Sequence, residues 1–267
     1  MNPLSGEVLV VNKPLGWSSF HVVKKLRGAI SSRLRSVGVR KIKVGHAGTL
    51  DPLATGVMII CTGRATKKID SLQAGIKEYV ATIHLGATTP SFDRETPIDA
   101  QYPVDHITRK LVDEVLSKFV GTIEQIPPEF SACKIDGHRA YKMARRGETV
   151  DLKPKTLIID EIEVLDFTLP LLTLRIVCSK GTYIRALARD IGIALKSGGY
   201  LEALHRTRVG EHTITSAYTI SEAVEYLLTK PCEITDDSGC LVEVSPMPFS
   251  GEVDLLENAD IKPFDER

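Results

Sequence analysis

Residues that could do chemistry are concentrated in one run, Gly45-His46-Ala47-Gly48-Thr49-Leu50-Asp51-Pro52-Leu53-Ala54-Thr55-Gly56, which sets a single carboxylate among three glycines. Glycines would let the backbone of a ligand approach without meeting side chains, and Asp51 could then act as a nucleophile or a stabiliser of charge. The plainer reading of the same residues is structural. Asp followed by Pro makes a good helix start, with Asp51 as N-cap and Pro52 at the first helical position, and from these two residues alone the cap is favoured. A second run, Cys178-Ser179-Lys180-Gly181-Thr182-Tyr183-Ile184-Arg185, reads as a strand ending in glycine and turning into a helix. It is either another site loop or an ordinary cap by Thr182, with Tyr183 in the core and Arg185 at the surface. Tyr79 lies on an otherwise apolar strand face and reads first as core, and His46 reads first as a loop histidine with a backbone partner.

The elements that must position these residues follow from hydrophobic spacing. Glu7 to Pro14 predicts a strand ended by proline, after which Ser18 caps an amphipathic helix to about Ile30 with Val22, Val23, Leu26 and Ile30 inward. Ser31 to Lys43, with Arg33, Arg35, Arg40, Lys41 and Lys43, is expected to be a mobile basic loop rather than a packed segment. A buried strand at Val57 to Cys61 and a short helix near Ala65 to Gln73 come next. Lys77 to Gly86 then alternates, with Tyr79, Ala81, Ile83 and Leu85 on one face. Helices are expected from Thr108 to about Phe119, within Gly137 to Gly147, from Thr182 to about Lys196 and from Ser221 to Leu228. Strands are expected at Thr156 to Phe167, Leu172 to Cys178 and Leu201 to Thr215. The mixture lacks βαβ regularity, which predicts an α+β fold with a largely antiparallel central sheet flanked by helices and site loops. Residues 229–267, acidic and poorly periodic, read as a short tail.

With 267 residues, 43% of them hydrophobic, the chain can bury a sizeable core. Its longest apolar runs fall far short of the ~20 residues that span a bilayer, and no basic region followed by an apolar stretch opens it. A cytoplasmic protein is expected. Cys61, Cys133, Cys178, Cys232 and Cys240 are odd in number and dispersed, without a C-x-x-C pair, which argues against a disulfide framework or a thiolate metal site. The zero net charge averages very unequal segments: residues 1–70 carry 12 Lys/Arg against 3 Asp/Glu, and residues 220–267 carry 3 against 12. One end can therefore face phosphates although the whole chain is neutral.

Taken together, the strings form a pattern that no one of them makes alone. Asn12-Lys13-Pro14-Leu15-Gly16-Trp17-Ser18, the Gly45 to Gly56 run, Lys77-Glu78-Tyr79 with Leu85-Gly86, Gln125-Ile126-Pro127-Pro128 through Phe130-Ser131-Ala132 to Gly137 and Tyr141, and Lys180 to Arg185 stand in the order and rough spacing of the TruB family of pseudouridine synthases. The chain resembles that family over about residues 7 to 228. The resemblance implies the pseudouridine synthase fold, a catalytic domain at 1–228 with an RNA-contacting insertion at about 124–152, and isomerisation of uridine 55 in the T-loop of tRNA. Residue by residue, it implies that Asp51 is the catalytic aspartate and Arg185 the arginine paired with it. Tyr79 matches the tyrosine that stacks on the target base and takes part in proton removal. His46 matches the histidine near the flipped-out loop nucleotides, and Tyr183 and Leu204 line the uridine pocket. Arg40, Lys41, Lys43, Lys134, Arg139, Lys142, Arg145 and Arg146 are the candidate phosphate contacts to the T-arm and elbow. No cofactor, metal, membrane or obligate protein partner is implied, and a monomer is expected.

The match has departures. After the Tyr79 strand the family continues with a Thr-Asp-Thr-like run, where this chain has Ala87-Thr88-Thr89-Pro90-Ser91-Phe92-Asp93, so contacts from that loop do not carry over. The acidic residues 229–267 are too short and irregular for the small RNA-binding PUA domain in which many members end. Competing readings are a subunit of a guide-RNA pseudouridylation complex, which would need that domain, and a tRNA-folding chaperone without chemistry. A glycosidase would need a second carboxylate in a comparable loop.

Overall fold

The computed structural model describes residues 1–128, 152–235 and 241–249, together with the backbone of 134–135 and 138–139. In chain order the first elements are β1 (Val8–Lys13), α1 (Ser19–Arg35), β2 (Val44–His46), β3 (Ala54–Thr62), α2 (Ile69–Ala74), β4 (Lys77–Leu85), β5 (Ala87–Thr88), β6 (Ala100–Gln101), α3 (Arg109–Leu116) and β7 (Gly121–Gln125). There follow β8 (Lys134–Ile135), β9 (His138–Arg139), β10 (Lys155–Thr168), β11 (Leu171–Cys178), α4 (Ile184–Ala194), β12 (Gly199–Val209), β13 (His212–Thr213), α5 (Ile220–Thr229), β14 (Cys232–Thr235) and β15 (Leu241–Val244). Two compact units divide them, residues 1–75 with 206 onward, and residues 76–205.

In the first unit β3 takes β1 antiparallel on one edge and β2 on the other, with Val10 opposite Ile59 and Gly45 opposite Cys61. Helix α1 starts where expected, the Ser18 hydroxyl accepting from the His21 amide at 3.2 Å. It ends later than expected, because the apolar series Val22, Leu26, Ile30 continues to a buried Leu34. The core cluster of this unit joins those residues to Leu9, Val11, Met58 and Ile60 of the strands and to Ile220, Ala223, Val224 and Leu227 of α5. The basic stretch is therefore not a loose loop at its start. Arg33 is buried, its guanidinium donating to the carbonyls of Leu227 (3.0 Å), Val244 (2.8 Å) and Ser245 (3.2 Å), while Val37, Val39 and Ile42 pack against the core.

Two of those carbonyls belong to a stretch that sequence alone reads as irregular, of which residues 232–235 and 241–249 are described. Strands β14 and β15 pair antiparallel, Ile234 opposite Val242, and alternate residues Cys232, Ile234 and Val244 complete the same core. The strands are too short for their alternation to be conspicuous amid the acidic residues. Residues 250–267 lie outside those described.

The second unit carries the sheet order β4, β11, β10, β7, every neighbour antiparallel. Strand β4 alternates as expected, Tyr79, Ala81, Ile83 and Leu85 buried and the residues between them half-buried. Helix α3 is capped by Thr108. Two boundaries differ from expectation. Thr182 does not cap α4: its hydroxyl donates to the Ser179 carbonyl at 3.1 Å, and the N-cap falls at Tyr183, which makes no side-chain cap bond. The expected strand to Thr215 ends at Val209, because Gly210, with φ +57°, turns the chain back so that Thr213 pairs with Arg208. No helix among the described residues is long and apolar enough to cross a membrane.

Candidate active site

Asp51 begins a tight turn, closed by the Ala54 amide donating to the Asp51 carbonyl at 3.1 Å. Pro52 occupies the second position, which its fixed φ suits. The chain then enters β3 directly, so there is no helix for Asp51 to cap and the capping reading fails.

The residues around Asp51 are tethered from outside the loop. The Ser19 hydroxyl accepts from the Leu50 amide and donates to the Leu50 carbonyl, both at 2.9 Å. The Pro52 carbonyl accepts from the Gly16 amide at 2.9 Å and from Lys13 Nζ at 3.3 Å. Arg206, 2% exposed, donates through Nη2 to the Gly48 carbonyl (3.2 Å), through Nη1 to that of Thr49 (3.4 Å) and through Nε to that of Val57 (2.7 Å). Gly56 is needed for the protein's own backbone: at φ +105° a Cβ there would lie 2.2 Å from the Arg206 carbonyl oxygen. Sequence reasoning singled out none of Lys13, Ser19 and Arg206 as part of the site. The available signal was a cation at the end of an apolar strand, since a lysine or arginine there must find buried acceptors.

Lys13 is fully buried, and Nζ also donates to the carbonyls of Pro14 (2.9 Å) and Trp17 (2.6 Å). Burial pushes its pKa down to about 8, against an upward pull from Asp51 and a further downward push from Arg206. Below pH 8 the lysine is charged in both folded and unfolded chains, and the folded state bears the whole cost of burying the cation. As pH rises from 8 to the unfolded value of 10.5, only the unfolded chain keeps the proton, and the cost is relieved. The stability of the protein relative to a Lys13→Met variant should therefore rise across that window, by up to about 3 kcal/mol. Denaturant unfolding of both proteins at several pH values checks this, and a flat difference would exclude it.

His46 is half-buried at the end of β2, and burial lowers its pKa, which favours the neutral imidazole at pH 7. Arg40, Lys41 and Lys43 are exposed in the connection leading into β2.

The second unit holds Tyr79, Tyr183, Arg185 and Leu204. Tyr79 is buried in β4, and Leu204 is half-buried in β12. Arg185 is not a surface charge. It sits in the first turn of α4, 5% exposed, with Nη1 donating to the Ser91 carbonyl at 3.2 Å and Nε 3.6 Å from Asp93 Oδ2. Asp93 is also buried, and its loop is shaped by Thr89 Oγ1 and Ser91 Oγ donating to its carbonyl at 2.7 and 3.2 Å. Phe92 adopts φ +60°, a costly conformation for a bulky residue, with the Arg189 guanidinium 4.8 Å above its ring. This is the run where the chain departs from the family string, and sequence reasoning missed Asp93 for that reason. Tyr183, half-buried, is fixed through its backbone by Gln125 of β7: its amide donates to Oε1 at 2.9 Å and its carbonyl accepts from Nε2 at 3.2 Å.

Lys134 and Arg139 stand opposite each other on the β8–β9 pair, while Lys142, Arg145 and Arg146 lie outside the described residues. Among the described residues, no group of three His, Cys, Asp or Glu side chains could hold a metal ion.

Comparison with known proteins shows the family. The profile of the TruB family pseudouridylate synthase N-terminal domain matches residues 35–184. A tRNA pseudouridine synthase B of Parabacteroides distasonis is 60% identical over 237 residues, which is 89% of this chain and 100% of that protein. One of Phocaeicola vulgatus is 63% identical over 227 residues, 85% of this chain and 95% of that one. Among solved structures, a chain of an H/ACA ribonucleoprotein bound to a substrate RNA containing 2′-deoxyuridine superposes with a TM-score of 0.60 at 25% identity, over 84% of this chain and 54% of the other. This chain thus spans about half the length of that one. On the family profile and these identities, the chain belongs to the TruB family of pseudouridylate synthases.

Proposed function

We propose that this protein converts uridine 55 in the T-loop of tRNA to pseudouridine, with Asp51 as nucleophile. The observation that carries the reading is the held turn at Asp51: a carboxylate that caps no helix stands in a loop whose backbone is pinned before and after it by Ser19, Lys13, Gly16 and Arg206. Such rigidity suits a reacting group, which must stay aligned through the barrier. The name and near-complete coverage of the Parabacteroides relative support tRNA as the substrate.

The reaction breaks C1′–N1, turns the base, forms C1′–C5 and releases the C5 proton. It conserves every atom of the uridine except for exchange of that proton, so it calls for no cofactor or energy source. Asp51 attacks the uridine at C1′ or C6. Arg185, matched to the arginine that pairs with the family's catalytic aspartate, aims the Asp51 carboxylate, and Tyr79 stacks on the flipped base and takes part in moving the proton. Stacking offsets part of the few kcal/mol that extrusion from the RNA costs. Tyr183 and Leu204 bound the uridine, and a neutral His46 packs among the displaced loop nucleotides. Arg40, Lys41, Lys43 and the basic residues of 124–152 meet phosphates of the T-arm and elbow, where RNA is read mostly by shape. The protein acts as a monomer in the cytoplasm.

Purified protein incubated with an unmodified tRNA transcript, without metal or cofactor, should yield one new pseudouridine, at position 55, mapped by chemical labelling and reverse-transcription stops. A product at another position would redirect the substrate assignment. Binding without product would favour a tRNA-folding chaperone.

A further inference from the structure

Helix α4 carries Arg185 as its second residue, in the turn least held by the helix's own hydrogen bonds. A helix start is normally secured by a side-chain acceptor at the N-cap, yet the N-cap residue Tyr183 makes no such bond. What secures it comes from a different strand. Gln125, 1% exposed at the end of β7, closes a two-bond ring on Tyr183, accepting from its amide at 2.9 Å and donating to its carbonyl at 3.2 Å. The same carbonyl accepts the first bond of the helix, from the Leu187 amide at 3.0 Å. One residue on, the Ile126 carbonyl accepts from Arg189 Nη2 at 3.1 Å, so the end of β7 holds α4 at two successive turns.

We propose that Gln125 is a positioning residue for catalysis: it fixes the backbone of Tyr183 and thereby the aim of Arg185. A buried amide in a strand end otherwise costs desolvation, and its donor and acceptor match the carbonyl and amide of Tyr183, the N-cap two residues before the site arginine. The inference rests on the proposed role of Arg185.

The test is the single-turnover rate of pseudouridine formation at saturating enzyme, with tRNA affinity measured separately, in Gln125→Leu, Gln125→Glu, Arg185→Lys and the double variant Gln125→Leu/Arg185→Lys. Thermal unfolding confirms that each is folded at the assay temperature. Gln125→Leu keeps the volume and loses both bonds. Its rate should fall on the order of 10- to 100-fold, the usual effect of a small misplacement of a reacting group, with affinity within about twofold of wild type. Added to Arg185→Lys, the same change should cost much less, because residues acting as a unit are not additive. Gln125→Glu can donate to the Tyr183 carbonyl only while protonated, so its rate should drop with rising pH in a range where wild type is level.

A Gln125→Leu rate within twofold of wild type, a loss fully additive with Arg185→Lys, or a change in affinity alone would overturn the proposal. A near-normal rate in Arg185→Lys would instead refute the role of Arg185, a failure separable from that of Gln125.

Discussion

Asp51→Asn should abolish isomerisation, with a loss on the order of 10⁴-fold or more in single-turnover rate, while tRNA affinity stays within about twofold. The amide has nearly the shape of the carboxylate but is neither a nucleophile nor an anion. The turn is closed by a backbone bond, and Ser19, Gly16 and Lys13 tether the neighbouring carbonyls. Below pH 8, where Lys13 is charged, stability should fall, because the variant lacks the Asp51 attraction that helps the buried lysine keep its proton. Filter binding and a rate measured at saturating enzyme check the two halves separately. Appreciable activity in the variant would remove Asp51 from the mechanism, and lost binding would mean that it contributes to recognition instead. A secondary effect falls on Lys13, whose proton Asp51 helps to hold, so the lysine should titrate lower still in the variant.

Arg206→Met should have the largest effect on stability, a loss of about 3 kcal/mol or more. Its guanidinium serves the carbonyls of Gly48, Thr49 and Val57 from a fully buried position, and methionine would fill the volume while leaving those acceptors without their partner. The denaturation midpoint should move with little change in slope. Activity measured where the variant remains folded should also fall, because two of the lost bonds lie on the stretch just before Asp51. A midpoint within about 0.5 kcal/mol of wild type would show that water or a neighbouring group replaces the arginine without cost.

Much of this was legible in the residues. The alternation at Tyr79 to Leu85 reported its own burial because a two-residue period fits a strand with one buried face and little else. Ser18, Thr108 and the apolar spacing of α1 announced their helices. The errors share a cause: a local signal was overruled by a distant partner. Arg33 looked like a loop cation until carbonyls near residues 227 and 245 were there to receive it. Thr182 looked like a cap, but Gln125, more than fifty residues away, performs that task on Tyr183. Arg185 was legible as chemistry only through the family string, because nothing local distinguishes a buried arginine facing Asp93 from a surface one. At Asp51, local rules favoured a cap, and the β3 sequence that follows Pro52 decided otherwise.

Isomerisation replaces the C5 hydrogen of one uridine by the glycosidic bond, so tRNA transcribed with tritium at C5 of every uridine counts the events directly. The result expected is release of one tritium per tRNA by the wild-type protein and none by Asp51→Asn. Release by both proteins, or by neither, would contradict an aspartate-dependent isomerisation of a single uridine.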